Sequence, residues 1–145
     1  MKHIILLIAA CLLPLTASAE ISKKFGDVEV HYNALLTDNL KPDVAKNYNI
    51  IRSHTRGMLT LSVLKKNKLG VQQPIKADVS AYFVNITNQL GDIDMRQIQE
   101  GNAIYYLGVF RVSTPETLTI YVTVKPKENG GDSGPYKFSF KQDFE

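Results

Sequence analysis

Cysteine, tryptophan and histidine are nearly missing from this chain: one cysteine (Cys11), no tryptophan, three histidines. A single thiol excludes an internal disulfide framework, so stability must come from a packed core, which a chain of this length can bury without staples. Charge is thin as well. Seventeen Lys and Arg against 14 Asp and Glu give a formal net charge of +3, and no like charges run on beyond the pair Lys65-Lys66. Nucleic-acid binding announces itself by a strongly basic face, and none is foreseen here. With 44% hydrophobic and 21% charged residues the composition is that of a globular domain, neither disordered nor fibrous.

The first nineteen residues read as a segment of another kind. Lys2 and His3 precede an apolar run from Ile4 to Leu13, followed by Pro14 and by Ala17-Ser18-Ala19. This is the pattern of a secretory signal peptide with a small-x-small cleavage site, so residues 1–19 are expected to be removed and the domain to span 20–145. The run is shorter than the ~20 apolar residues a spanning helix needs, and the processed chain is expected not to cross a membrane. Cys11 follows Ile8-Ala9-Ala10 as a lipidated cysteine would. Cutting there would strand Leu12, Leu13 and Leu15 on the new N-terminus, which favours cleavage after Ala19.

What is abundant is strand pattern. Ala103–Lys125 holds the strongest example: two runs rich in Val, Ile, Tyr, Phe and Thr on either side of Ser113–Glu116, expected to form a β-hairpin. In the second run Leu118, Ile120, Val122 and Val124 alternate with polar or amphipathic residues. The first is apolar on both faces, as in a central strand. Phe25–Ala34, Gly57–Lys66, the run from Pro74 through Phe83, Asp92–Glu100 (as an edge strand) and Tyr136–Phe144 complete the set. Leu40, Val44 and Tyr48 recur every four residues around Pro42, which predicts one short helix. About seven strands and a helix indicate a mainly β fold, a single antiparallel β-sandwich of immunoglobulin-like architecture without that fold's cysteine pair or core tryptophan. The aromatics do not form the two girdles of a membrane barrel.

Several motifs in order carry a resemblance. Phe25-Gly26-Asp27, Glu29-Val30-His31-Tyr32-Asn33-Ala34, Pro42 with Val44-Ala45, Arg52-Ser53, Arg56-Gly57, Glu100-Gly101 and Tyr105-Tyr106-Leu107 are similar to those of a family of short exported proteins of Gram-negative bacteria. That family is catalogued only as a domain of unknown function. The resemblance covers nearly all of the chain after the leader and implies a periplasmic β-domain. It implies no activity, substrate or catalytic residue.

Chemistry-bearing groupings are few. Gly131-Asp132-Ser133-Gly134-Pro135 approaches the GDSGGP nucleophile loop of chymotrypsin-like proteases but lacks a glycine, and such enzymes need two barrels with a His and an Asp from upstream. A turn tip accounts for it. Glu29 and His31 share one face of a strand, near Asp27 and Asp38, yet His31 and His54 have no recognised metal-ligand spacing, so no metal and no cofactor are expected. Asn85-Ile86-Thr87 fits a glycosylation sequon, a coincidence in a bacterial export context. Arg52, His54 and Arg56 concentrate cationic character. If extended they would share a face suited to carboxylate or phosphate, and they are the candidate ligand-binding residues. The competing expectation pairs the arginines with Glu29 or Asp27 across strands. The expected function is a non-enzymatic binding or accessory module whose partner is another periplasmic or envelope component. A small hydrolase or a metal-handling protein is the alternative.

Overall fold

The computed structural model describes residues 21–127 and 134–145. The leader read over 1–19 lies outside them, as do residues 131–133 of the glycine-rich motif. Ten strands, one short α-helix and one 3-10 turn make up the described chain. In order, these are β1 (Ile21–Phe25), β2 (Val28–Leu36), the 3-10 turn Thr37–Asn39, α1 (Pro42–Asn47), β3 (Arg56–Lys66), β4 (Gln72–Pro74) and β5 (Ala77–Asn85). There follow β6 (Leu90–Ile93), β7 (Arg96–Glu100), β8 (Ala103–Arg111), β9 (Glu116–Pro126) and β10 (Tyr136–Phe144).

All pairings are antiparallel, and they build two sheets. Sheet I has six strands in the order β1-β2-β3-β8-β7, with β4 paired to the end of β3; sheet II runs β10-β9-β5-β6. The expected mainly β sandwich is what forms. Period-2 alternation decides which side chains meet between the sheets. Val28, Val30, Tyr32, Ala34 and Leu36 of β2 face inward, as do Leu59, Leu61 and Val63 of β3 and Leu118, Ile120, Val122 and Val124 of β9. Val30, Leu59, Val63, Leu118, Ile120 and Val124 are 0% exposed. Each such side chain contributes roughly 1.5–3 kcal/mol of transfer free energy, which makes this face the main source of stability.

The foreseen hairpin of β8 and β9 does not form. β8 pairs with β3 and β7, whereas β9 pairs with β5 and β10, so Val112–Pro115 carries the chain from one sheet to the other. Alternation specifies which face of a strand is wet but not which sheet it joins. The single edge strand foreseen over Asp92–Glu100 is likewise two strands. Its residues fit no period because β6 ends in sheet II and β7 begins in sheet I, the chain crossing at Asp94-Met95. Of the foreseen Phe25–Ala34 strand, β2 is the body and Phe25 ends β1, the two joined through Gly26 at φ +62°. β4 is only three residues long and ends in Pro74, which an edge position accommodates.

On β10 the expected alternation holds. Tyr136, Phe138 and Phe140 are half-buried, and Phe144 is buried. Because β10 is an edge strand, these rings cover the margin of the sandwich: Tyr136 stacks on Phe25 at 4.8 Å, while Tyr32 meets Phe138 at 5.0 Å and Phe140 at 4.5 Å.

An apolar pocket beneath the helix

The outer face of sheet I has a second, smaller apolar cluster. Leu107 and Met58 are buried there although they point away from the main core, and Leu35, Ile98 and Val109 pack beside them. Their cover is α1. Pro42 occupies its first turn, where a missing N–H costs nothing, and Asp43 sits at the positive end of the helix dipole. Six residues are too few for a helix to hold by itself. Ala45 and Ile50 bury themselves against the sheet instead, and the Ile50 amide donates to the Ala45 carbonyl at 2.8 Å to close the helix end.

The cover is incomplete and leaves a pocket of about 300 Å³. Val44 of α1 with Leu40, Tyr48 and Ile50 beside the helix form one wall, and Met58, Ile98 and Leu107 the floor. Thr60, Glu100 and Tyr105 stand at the rim. The Tyr48 hydroxyl donates to Glu100 Oε1, and this bond, followed by desolvation, raises the tyrosine pKa above its ordinary value. Arg96 Nη2 donates to the Tyr48 carbonyl at 2.5 Å. Both bonds fasten the end of α1 to β7. A smaller cavity of about 140 Å³ shares Thr60 and Tyr105 with the pocket and is lined by His31, Asn33 and Ser62, so the trough turns polar toward β2.

The cationic residues singled out from the sequence lie at the shoulder of this helix. Ile51–Thr55 is loop rather than strand, so Arg52, His54 and Arg56 do not share a strand face. Arg52 Nη2 donates to the Asp38 carbonyl at 2.9 Å, and His54 Nδ1 lies 3.0 Å from Asp38 Oδ2. Both therefore brace the 3-10 turn. Beneath them Thr37, fully buried, donates to the Ile51 carbonyl at 2.9 Å and accepts from the Ser53 amide at 2.9 Å. Arg56 opens β3 directly across from Arg111 of β8.

The expected pairing of arginines with Glu29 or Asp27 is not what forms. Glu29 accepts from Ser22 Oγ at 2.7 Å and from Gln72 Nε2 at 2.6 Å, with His31 Nε2 at 3.8 Å, and Asp27 faces Lys65 at 3.9 Å. The hydroxyl of Ser22, then the amide of Gln72, hold the Glu29 carboxyl below the ordinary carboxylate value. Asn85 of the sequon is tied into its own turn, its Oδ1 accepting from the amides of Thr87 and Gln89. Among the described residues no group of three or more His, Cys, Asp or Glu converges to hold a metal ion.

The pocket itself was not foreseen, although its signal was legible. Tyr105, Leu107 and Val109 make the outer face of β8 apolar, and an apolar outer face requires a cover.

Fold and site together define a class: a two-sheet antiparallel sandwich with a helix-capped apolar pocket on the outside of one sheet. Residues 22–145 match the family model described as a domain of unknown function, DUF4426, and the chain belongs to that family. A DUF4426 family protein of Pseudomonas aeruginosa PAO1 is 30% identical, with a TM-score of 0.69 over 86% of this chain and 93% of that one. Two structures of FetP from uropathogenic Escherichia coli strain F11 share the fold at lower identity. A copper-bound variant is 12% identical with a TM-score of 0.61, covering 87% of this chain and 95% of that one. The as-isolated protein, recombinantly expressed in the E. coli periplasm, is 11% identical with a TM-score of 0.61, covering 86% and 93%. Comparison with curated proteins yields no match.

Proposed function

We propose that this protein is an exported, periplasmic, non-enzymatic binding module of the cell envelope, and that it binds through the pocket beneath α1. The pocket carries the proposal. Its walls and floor are aliphatic except for Tyr48, and its polar groups stand at the mouth, the arrangement of a site that buries an apolar group and orients it by a few polar contacts. The signal-peptide pattern over residues 1–19 supports the compartment. The copper of the FetP variant carries no argument here, since among the described residues no three of His, Cys, Asp or Glu converge. In this reading Arg52 and His54 position the loop that follows Ile50. Arg56, beside Arg111 on the same outer face, offers two guanidiniums to an acidic flank of the partner.

The test is a titration with N-phenyl-1-naphthylamine, a dye that brightens in apolar sites. Saturable brightening is expected for the unaltered protein, and a Val44→Trp variant, whose indole fills the pocket, should weaken it at least tenfold while the circular dichroism stays unchanged. Dye binding indifferent to Val44→Trp would remove the pocket from consideration as the site.

A further inference from the structure

The pocket lies against a free sheet edge, and that juxtaposition narrows what can occupy it. Among the described residues β7 is the last strand of sheet I and pairs only with β8. Glu100 and Ala103 flank the two-residue turn Gly101-Asn102, with Gly101 at φ +57°, as the first position of a tight II′-type hairpin turn requires. In such a hairpin the flanking pair is hydrogen-bonded and the pairs alternate from there. Arg96, Ile98 and Glu100 therefore direct their backbone groups to β8, and Gln97 and Gln99 present theirs to the open edge. The same three residues carry the outer-face side chains of β7: Arg96, Ile98 and Glu100, opposite Leu107, Tyr105 and Ala103.

Resting on the pocket reading above, we infer that the partner is an extended peptide segment that adds to sheet I along β7 and drops one apolar side chain beside Ile98 into the pocket. Backbone pairing at an edge supplies affinity, and a pocket beside it selects alternate side chains. Charge complementarity sets the rest of the pattern. On β7 a base, an apolar residue and an acid follow at i, i+2 and i+4, so an antiparallel partner strand reads base-x-apolar-x-acid, with its base opposite Glu100 and its acid opposite Arg96. Arg96 and Glu100 are already fixed in place by Tyr48, so little ordering is needed when the strand arrives. Charges on an edge also discourage promiscuous pairing, and the same two residues would reject strands of the wrong pattern.

The probe is the fluorescein-labelled peptide Thr-Lys-Thr-Leu-Thr-Asp-Thr, followed by fluorescence polarisation. Saturable binding is expected, weakened at least tenfold when Leu is replaced by Asn in the peptide. Gln97→Pro removes one outward N–H and leaves the β8 ladder whole, since proline is tolerated on an edge strand with that N–H facing solvent. It should weaken the peptide at least tenfold and leave the naphthylamine dye unaffected, whereas Val44→Trp should weaken both. A peptide N-methylated at its two central threonines tests the same bonds on an unaltered protein and should fail to bind. No saturable peptide binding, or equal binding by the N-methylated peptide, would overturn the inference. If the dye still binds in that case, the pocket survives as a small-molecule site. If neither binds, both readings fall.

Discussion

Thr37 shows how one buried hydroxyl organises the shoulder of the pocket. Fully buried, it spans two segments by donating to Ile51 and accepting from Ser53, and the loop Ile51–Thr55 takes its path from those bonds. Valine has the same shape but no hydroxyl, and it would remove the bonds to the Ser53 amide and the Ile51 carbonyl. Each intramolecular hydrogen bond contributes about 0.5–1.5 kcal/mol, so the two come to about 1–3 kcal/mol. Thr37→Val should therefore lower stability by about that amount in urea denaturation, with Thr37→Ser restoring most of it. The sequence marked Arg52, His54 and Arg56 in this region, and two of the three do converge, on Asp38. Their expected common face required an extended chain. The bonds that bend it come from Thr37, and nothing local in the sequence distinguishes that threonine from the many exposed ones.

Strand order was the part of the fold hardest to read. Parity was right along β2, β3, β9 and β10 because burial on one face imposes period 2, whatever the neighbours. Membership of a sheet depends on contacts tens of residues apart, and two strong strands in succession looked like a hairpin. Gly108 records the actual path. It lies on the inner side of β8 where the chain crosses from β6 to β7, and an added Cβ would come within 2.5 Å of Ile93 Cγ2, 2.6 Å of Met95 Sδ and 2.9 Å of the Asp94 carbonyl oxygen. A valine there must push the crossover away. Overpacking of this kind typically costs 1–3 kcal/mol. Gly108→Val is expected to shift the urea midpoint accordingly, and to raise amide exchange in β6 and β7 before it does so in β9. An unchanged midpoint would mean that the crossover has room to move.

Across the molecule, the fold class followed from composition and alternation, and the family follows from motifs spread over nearly the whole domain. The pocket was not legible in the sequence, because it is assembled from α1 with its flanking residues, β3, β7 and β8, and no short stretch contains it. Export belongs to this scale too. If the leader is cut after Ala19, intact mass spectrometry of protein recovered from the periplasm should give a chain beginning at Glu20. A diacylglyceryl group on Cys11 would instead tether the whole domain to a membrane.

The passages from sheet to sheet, at Ile75-Lys76, Asp94-Met95 and Val112–Pro115, have a kinetic meaning. The nearest paired residues of β3 and β8, Leu61 and Tyr106, have 44 residues between them, and those of β5 and β9, Asn85 and Leu118, have 32. Closing loops of that length is slow, and sandwich-like proteins dominated by distant pairings fold in milliseconds to seconds rather than microseconds. A ribosome or a translocation channel releasing this chain from its N-terminus would deliver β1 to β7 before β8 could seat against β3. Until the second half emerges, β3 has β2 and β4 beside it but not β8, and β5 lacks β9, so the two sheets are expected to close together.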